Sequence, residues 1–129
     1  MTSAPAAVRS ILAVALAGMG ALHLVPDATT RMAAIVPPGM RDRPLSARQL
    51  VVLTGFCELA GAAGLLLPPT RRAAGVALVA FYASVFPANA YAAQHPDRFG
   101  AIAVPFWPRL AGQVALAGLT AYGAFGGRR

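Results

Sequence analysis

Residues 49–67 read QLVVLTGFCELAGAAGLLL, and this stretch decides the fold. A helix that crosses a bilayer needs about 20 mostly apolar residues, and this run has that length with one ionisable exception. Glu58, the only glutamate in the chain, stands near its centre. An ionisable group there costs about 2.5 to 3.5 kcal/mol on insertion scales. Leu50, Val51, Val52, Leu53, Phe56, Leu59, Leu65, Leu66 and Leu67 return roughly 0.3 to 0.6 kcal/mol each and only just offset it. Glu58 therefore needs a protein interior to face, and residues 49–67 need other helices around them.

Three further stretches meet the same length requirement: 7–25, 73–93 and 109–125. The composition agrees, at 57% hydrophobic and 12% charged with a mean hydropathy of +0.61, well outside the balance of an ordinary soluble domain. Four spans nearly exhaust 129 residues. The expected fold is all-α, one polytopic integral membrane domain built as an up-down-up-down four-helix bundle. Arg9 before an apolar core imitates a secretory signal, but no clean small-x-small cleavage site precedes Pro26 and three more spans follow, so 7–25 is read as a span.

Pro68, Pro69, Thr70, Arg71 and Arg72 make a tight turn that sets the second and third spans side by side and antiparallel. Two longer loops lie on the opposite face. The first, 26–48, has room for a short interfacial helix over 28–36 before the stop at Pro37, Pro38 and Gly39. The second, 94–108, carries Phe99, Ile102, Val104, Phe106 and Trp107, too short a run to span, with Trp107 placed to anchor at the interface.

The net charge of +7 comes from eleven basic residues, all arginine, scattered over short loops and helix ends. They form no basic stripe, so nucleic acid is not an expected partner; the bilayer is, with the arginines setting topology and meeting anionic head groups. The face with the termini holds Arg9, Arg71, Arg72, Arg128 and Arg129; the other holds Arg31, Arg41, Arg43, Arg48, Arg98 and Arg109. If Arg48 and Arg109 turn into the bundle, the balance places both termini in the cytoplasm. Cys57 is the single cysteine, expected to be a small packing residue buried within its span, and it excludes an internal disulfide and a thiolate metal cluster.

Measured at about 1.5 Å per residue, His23 lies about 5 Å in from the long-loop face, Gln113 about 6 Å, Asn89 about 8 Å and Glu58 about 13 Å. Each comes from a different span and all enter from one side, which predicts a single polar axis with Glu58 at its floor. Thr54 shares a helix face with Glu58, and Arg109 shares one with Gln113. Pro87 frees a backbone carbonyl one turn earlier and kinks the third span before Asn89. The candidate ligand pocket is thus His23, Thr54, Glu58, Asn89, Arg109 and Gln113. The structural alternative stays open for every member: interhelical hydrogen-bond glue for Asn89 and Gln113, snorkelling for Arg109, and a packed carboxylic acid for Glu58. No catalytic set and no metal set is expected, because two histidines, His23 and a loop His95, support neither paired haem ligation nor a nucleophile arrangement with the serines.

At these residues the chain resembles the DoxX-like family of small four-span bacterial membrane proteins. The matching pieces are Gly20, Ala21, Leu22, His23 and Pro26; Ile35 and Pro37; Thr54, Gly55, Glu58, Gly61, Gly64, Leu65, Leu66, Pro68 and Arg71; Val85, Phe86, Pro87, Ala88 and Asn89; and Arg109, Leu110 and Gln113. It departs at Ala111, where the family often has proline, and at Ala90. The resemblance implies residence in the bacterial inner membrane and association with redox complexes, hence a non-catalytic accessory subunit. It would bind a lipid-soluble ligand such as a quinone, beside a membrane or peripheral oxidoreductase partner and with homo-oligomers possible. Two rivals stand: a small-solute or proton permease working as an oligomer, with Glu58 as protonation site, and a scaffold without ligand.

Overall fold

The structure, a computed structural model, describes residues 2–127. Those residues form six helices and no strand: α1 (Ala4–Leu22), α2 (Pro26–Ala33), α3 (Ala47–Leu66), α4 (Arg71–Gln94), α5 (Pro96–Phe99) and α6 (Phe106–Phe125), with short 3₁₀ turns at Pro38–Met40 and Gly100–Ile102. The expected all-α class is present. By length and composition α1, α3 and α4 are apolar enough to cross a membrane. α6 is as long as α3 but is not in that group; Pro108, Arg109 and Gln113 dilute its first half.

Local chemistry fixes the boundaries. The Ser3 hydroxyl accepts from the Ala6 N–H at the start of α1, with Pro5 in the first turn. α3 opens two residues before the apolar run because Ser46 and Gln49 form a reciprocal capping box, each side chain accepting the other's backbone N–H. The short turn between α3 and α4 is closed by Thr70, whose hydroxyl lies 3.0 Å from the Gly64 carbonyl oxygen and 3.3 Å from that of Leu67. α2 starts at Pro26, a favoured first helical position, with Asp27 in its first turn. α6 begins at Phe106, so Trp107 belongs to its first turn, largely exposed.

α1 packs on α3 and α6, and α4 packs on α3 and α6. A core of Leu12, Ala13, Leu16, Ala62, Leu65, Leu78, Tyr82 and Ala124 fills the half near the start of α1 and the α3–α4 turn. The long helices turn large apolar side chains outward as well: Ile11, Val14, Phe56, Val76 and Val114 are all more than half exposed. Cys57 joins that outer surface, correcting its expected burial. Its neighbour Glu58 faces inward, and successive helical residues diverge by about 100°.

Candidate functional site

The site begins with two glycines. A β-carbon on Gly20 of α1 would lie 2.8 Å from the Gly55 carbonyl oxygen, and one on Gly55 of α3 would lie 2.9 Å from the Gly20 carbonyl oxygen and 2.8 Å from the His23 β-carbon. Backbones cross here at a separation no side chain allows. One turn further along α3, the crossing delivers Glu58 to His23, with Nδ1 and Oε2 3.1 Å apart and both side chains mostly buried.

That distance is an ion-pair approach rather than a satisfied hydrogen bond. His23 Nδ1 is closer to the Met19 carbonyl oxygen, at 2.7 Å, and one ring proton cannot be aimed at both. Glu58 Oε2 is buried and, among the described residues, has no well-directed donor. The turn carrying His23 is itself fastened. Thr29 of α2, 1% exposed, places its hydroxyl 2.5 Å from the His23 carbonyl oxygen and 2.8 Å from that of Val25.

Between α4 and α6 the polar groups satisfy one another. Arg109 Nη1 donates to Asn89 Oδ1 at 2.6 Å, and its Nε to the Val104 carbonyl at 3.3 Å. Gln113 Nε2 donates to the Tyr82 carbonyl. The Tyr82 and Thr120 hydroxyls meet at 3.0 Å, with Thr120 fully buried. The carbonyl that loses its helical donor to Pro87 is that of Ala83; the one engaged across the interface is its neighbour, Tyr82.

The six predicted residues therefore divide. His23 and Glu58 are together, Asn89 and Arg109 are together, and Gln113 reaches back to α4. Thr54 joins none of them, its hydroxyl donating to the Val51 carbonyl of its own helix at 2.7 Å. Arg48 turns to Thr30 of α2 at 3.1 Å rather than into the helices, which corrects the expected inward turn and leaves the arginine balance between the two faces even. Sequence reading missed Tyr82, Thr120 and Thr29; the available signal was a hydroxyl within each apolar or short helix, too common to single out. Two open depressions lie elsewhere, one over Arg48, Val52 and Phe56, the other between Arg31 and Arg98. Among the described residues no group of three or more His, Cys, Asp or Glu could hold a metal ion.

Residues 12–122, from α1 to near the end of α6, match a domain of unknown function, DUF8561. The chain belongs to the DUF8561 family. No curated protein and no solved structure matches it. The DUF8561 segment contains both polar clusters, from His23 to Thr120, while Arg9 lies outside it. Chemically, the DUF8561 site offers a buried carboxylate oxygen that can accept from a hydroxyl or, protonated, donate to a carbonyl, beside an imidazole that can exchange a proton with it.

Proposed function

We propose that this DUF8561 protein is a multi-pass protein of the bacterial inner membrane, its four long helices running up-down-up-down with both termini cytoplasmic. In this reading it holds a lipid-soluble, hydrogen-bonding ligand against Glu58 and His23. Membrane residence is supported by α1, α3 and α4 and by the apolar coat of Ile11, Val14, Phe56, Val76 and Val114, which in water would be an aggregation surface. α6 counts as the fourth span because it packs on both α1 and α4. Contacts such as Gly61 with Leu78 and Gly64 with Ala74, or Tyr82 with Thr120 and Asn89 with Arg109, run in opposite chain directions, as antiparallel neighbours require.

One observation carries the ligand reading: Glu58 Oε2 is buried beside His23 without a well-directed donor. A buried acceptor left unmade costs about 1–3 kcal/mol, and a ligand hydroxyl removes that cost. A quinone fits the donor set, since Glu58 can accept from its reduced hydroxyl or donate to its oxidised carbonyl. Once bound it would supply electron and proton carriage that the chain lacks, while Glu58 and His23 orient the ring and hold or release a proton at Oε2. The DoxX-like resemblance points the same way, toward an accessory subunit beside an oxidoreductase. Scaffolding is the second reading, favoured by the mutually satisfied α4–α6 groups, and it takes Asn89, Arg109 and Gln113 out of the ligand contact.

Mass spectrometry of lipids and quinones retained after mild detergent purification tests this. Glu58→Gln should express and assemble like wild type yet retain about tenfold less of the enriched molecule, the cost of one charge-assisted hydrogen bond. Reporter fusions at Thr70 and after Arg129 should both report the cytoplasm. No enriched molecule in wild type would leave the scaffold in place, and fusions on opposite sides would remove the four-span topology.

A further inference from the structure

Among the described residues, the end of the helices opposite the His23–Glu58 pair carries side-chain charge of one sign. There α1 begins, α3 ends, α4 begins and α6 ends: a β-carbon on Gly126 would lie 3.0 Å from Pro5 Cγ, and one on Gly64 2.7 Å from the Ala74 β-carbon. Arg9, Arg71 and Arg72 belong to this end. The acidic side chains of the whole sequence are Asp27, Asp42, Glu58 and Asp97, three of them on the far loops and one between the helices.

Arg9 and Arg71 are also held in place. Arg9 Nη1 donates to the Gly123 carbonyl in the last turn of α6 at 2.8 Å, and Arg71 Nε to the Leu65 carbonyl in the last turn of α3 at 3.4 Å. Both are partly exposed, and the packing sets their helix turns side by side: Arg9 lies against Gly123 of α6, and Gly75, one turn after Arg71 on α4, lies against the next residue, Ala124. Each carbonyl engages one of five guanidinium N–H donors. Among the described residues no carboxylate comes within ion-pair distance of either arginine. Two like charges pinned as neighbours by neutral acceptors repel, and the repulsion is removed by an anion that takes the remaining donors of both.

We propose that Arg9 and Arg71 form a binding site for the phosphate of one anionic phospholipid at the junction of α1, α3, α4 and α6. The inference rests on the membrane reading above. Guanidinium forks match phosphate oxygens two at a time, which a diffuse basic surface does not. The depression between Arg31 and Arg98 is the natural contrast. Arg98 there donates to the Tyr91 hydroxyl at 3.1 Å and sits over the Phe99 ring, and Asp27 and Asp97 lie on the same two helices.

Native mass spectrometry of the full chain from mixed micelles of equimolar phosphatidylcholine and phosphatidylglycerol tests the site. Wild type should retain phosphatidylglycerol in preference. Arg9→Gln with Arg71→Gln should lower that retention about thirtyfold, in line with roughly 1 kcal/mol for each of the two basic residues at an anionic surface. Arg31→Gln with Arg98→Gln removes the same charge and should leave retention unchanged. Should the glutamine pair fail to fold, Arg9→Lys with Arg71→Lys keeps both charges but not the forks and should show a smaller loss. Equal retention of the two lipids by wild type overturns the site whatever the variants do. Equal losses from both glutamine pairs reduce it to diffuse charge, and release of the lipid by inorganic phosphate makes it a free-anion site; either result overturns the lipid assignment. Retention of no lipid at all would remove the membrane reading together with the site.

Discussion

The α1–α3 crossing and the α4–α6 seam are built from opposite materials. At the crossing, Gly20 and Gly55 let backbones touch, and the polar pair set there, His23 and Glu58, is left with a buried oxygen in want of a donor. At the seam, where Gly75 of α4 also packs tightly on Ala124 of α6, the polar side chains complete one another's hydrogen bonds through Arg109 with Asn89, Gln113 with the Tyr82 carbonyl, and Tyr82 with Thr120. A satisfied network specifies packing; an unsatisfied buried acceptor persists only where something else compensates it. The difference separates a region whose polar groups complete one another from one that leaves a buried acceptor open, which is why the proposed ligand is assigned to the second.

Breaking the crossing should have the largest effect. Gly55→Leu drives a side chain into the Gly20 carbonyl and the His23 β-carbon, contacts of 2.9 and 2.8 Å that leave no room even for a methyl group. Overpacking of this kind costs about 1–3 kcal/mol or more, and it also parts His23 from Glu58. Thermal unfolding in detergent should show a clear loss, with ligand retention gone. Gly118→Leu on α6 is the control, since nothing lies within 4 Å of an added β-carbon there. Its stability should stay within about 0.5 kcal/mol of wild type. Equal behaviour of the two variants would mean that the α1–α3 approach is not the tight contact described.

The seam should respond in stability alone. A double-mutant cycle of Asn89→Ala and Arg109→Ala should give a coupling energy of roughly 1 kcal/mol or more, because the two groups share a 2.6 Å charge-assisted hydrogen bond. The molecules copurifying with each variant should match wild type. Loss of the same ligand from the Asn89 and Glu58 variants would merge the two regions into one site, and the contrast between them would fall.

The helices were legible because their signals are long and redundant: an apolar run of bilayer length tolerates errors at its ends, and those ends were where reading slipped. α3 opened early through the Ser46–Gln49 capping box, and α6 took in Trp107. The grouping of the polar residues was less legible. Depth along a helix follows from counting, so residues at similar depth looked like neighbours, but rotation about each axis decides which of them meet. The crossing was half-visible, since Gly20 and Gly55 are plainly small while nothing in the sequence pairs one with the other. Cys57 shows the same limit: its burial was inferred from its span, whereas its direction is set one residue away by the inward turn of Glu58.

Thr54 provides the smallest expected effect and the finest test of the contrast. It stands one turn before Glu58 on the same helix, which made it a natural member of a shared pocket. Its hydroxyl instead donates to the Val51 carbonyl at 2.7 Å, three residues back along α3, a local bond that satisfies the proton without another helix or a ligand. Thr54→Val keeps the branched shape and removes only that hydroxyl. The carbonyl of Val51 lies within α3 and keeps its helical donor, so stability should change by less than about 0.5 kcal/mol. Ligand retention should be that of wild type, in contrast to Glu58→Gln. A loss of retention at unchanged stability would mean that the hydroxyl swings from Val51 to the ligand on binding. The site would then extend a full turn along α3 toward the long loops, with Glu58 at its inner end rather than at its centre.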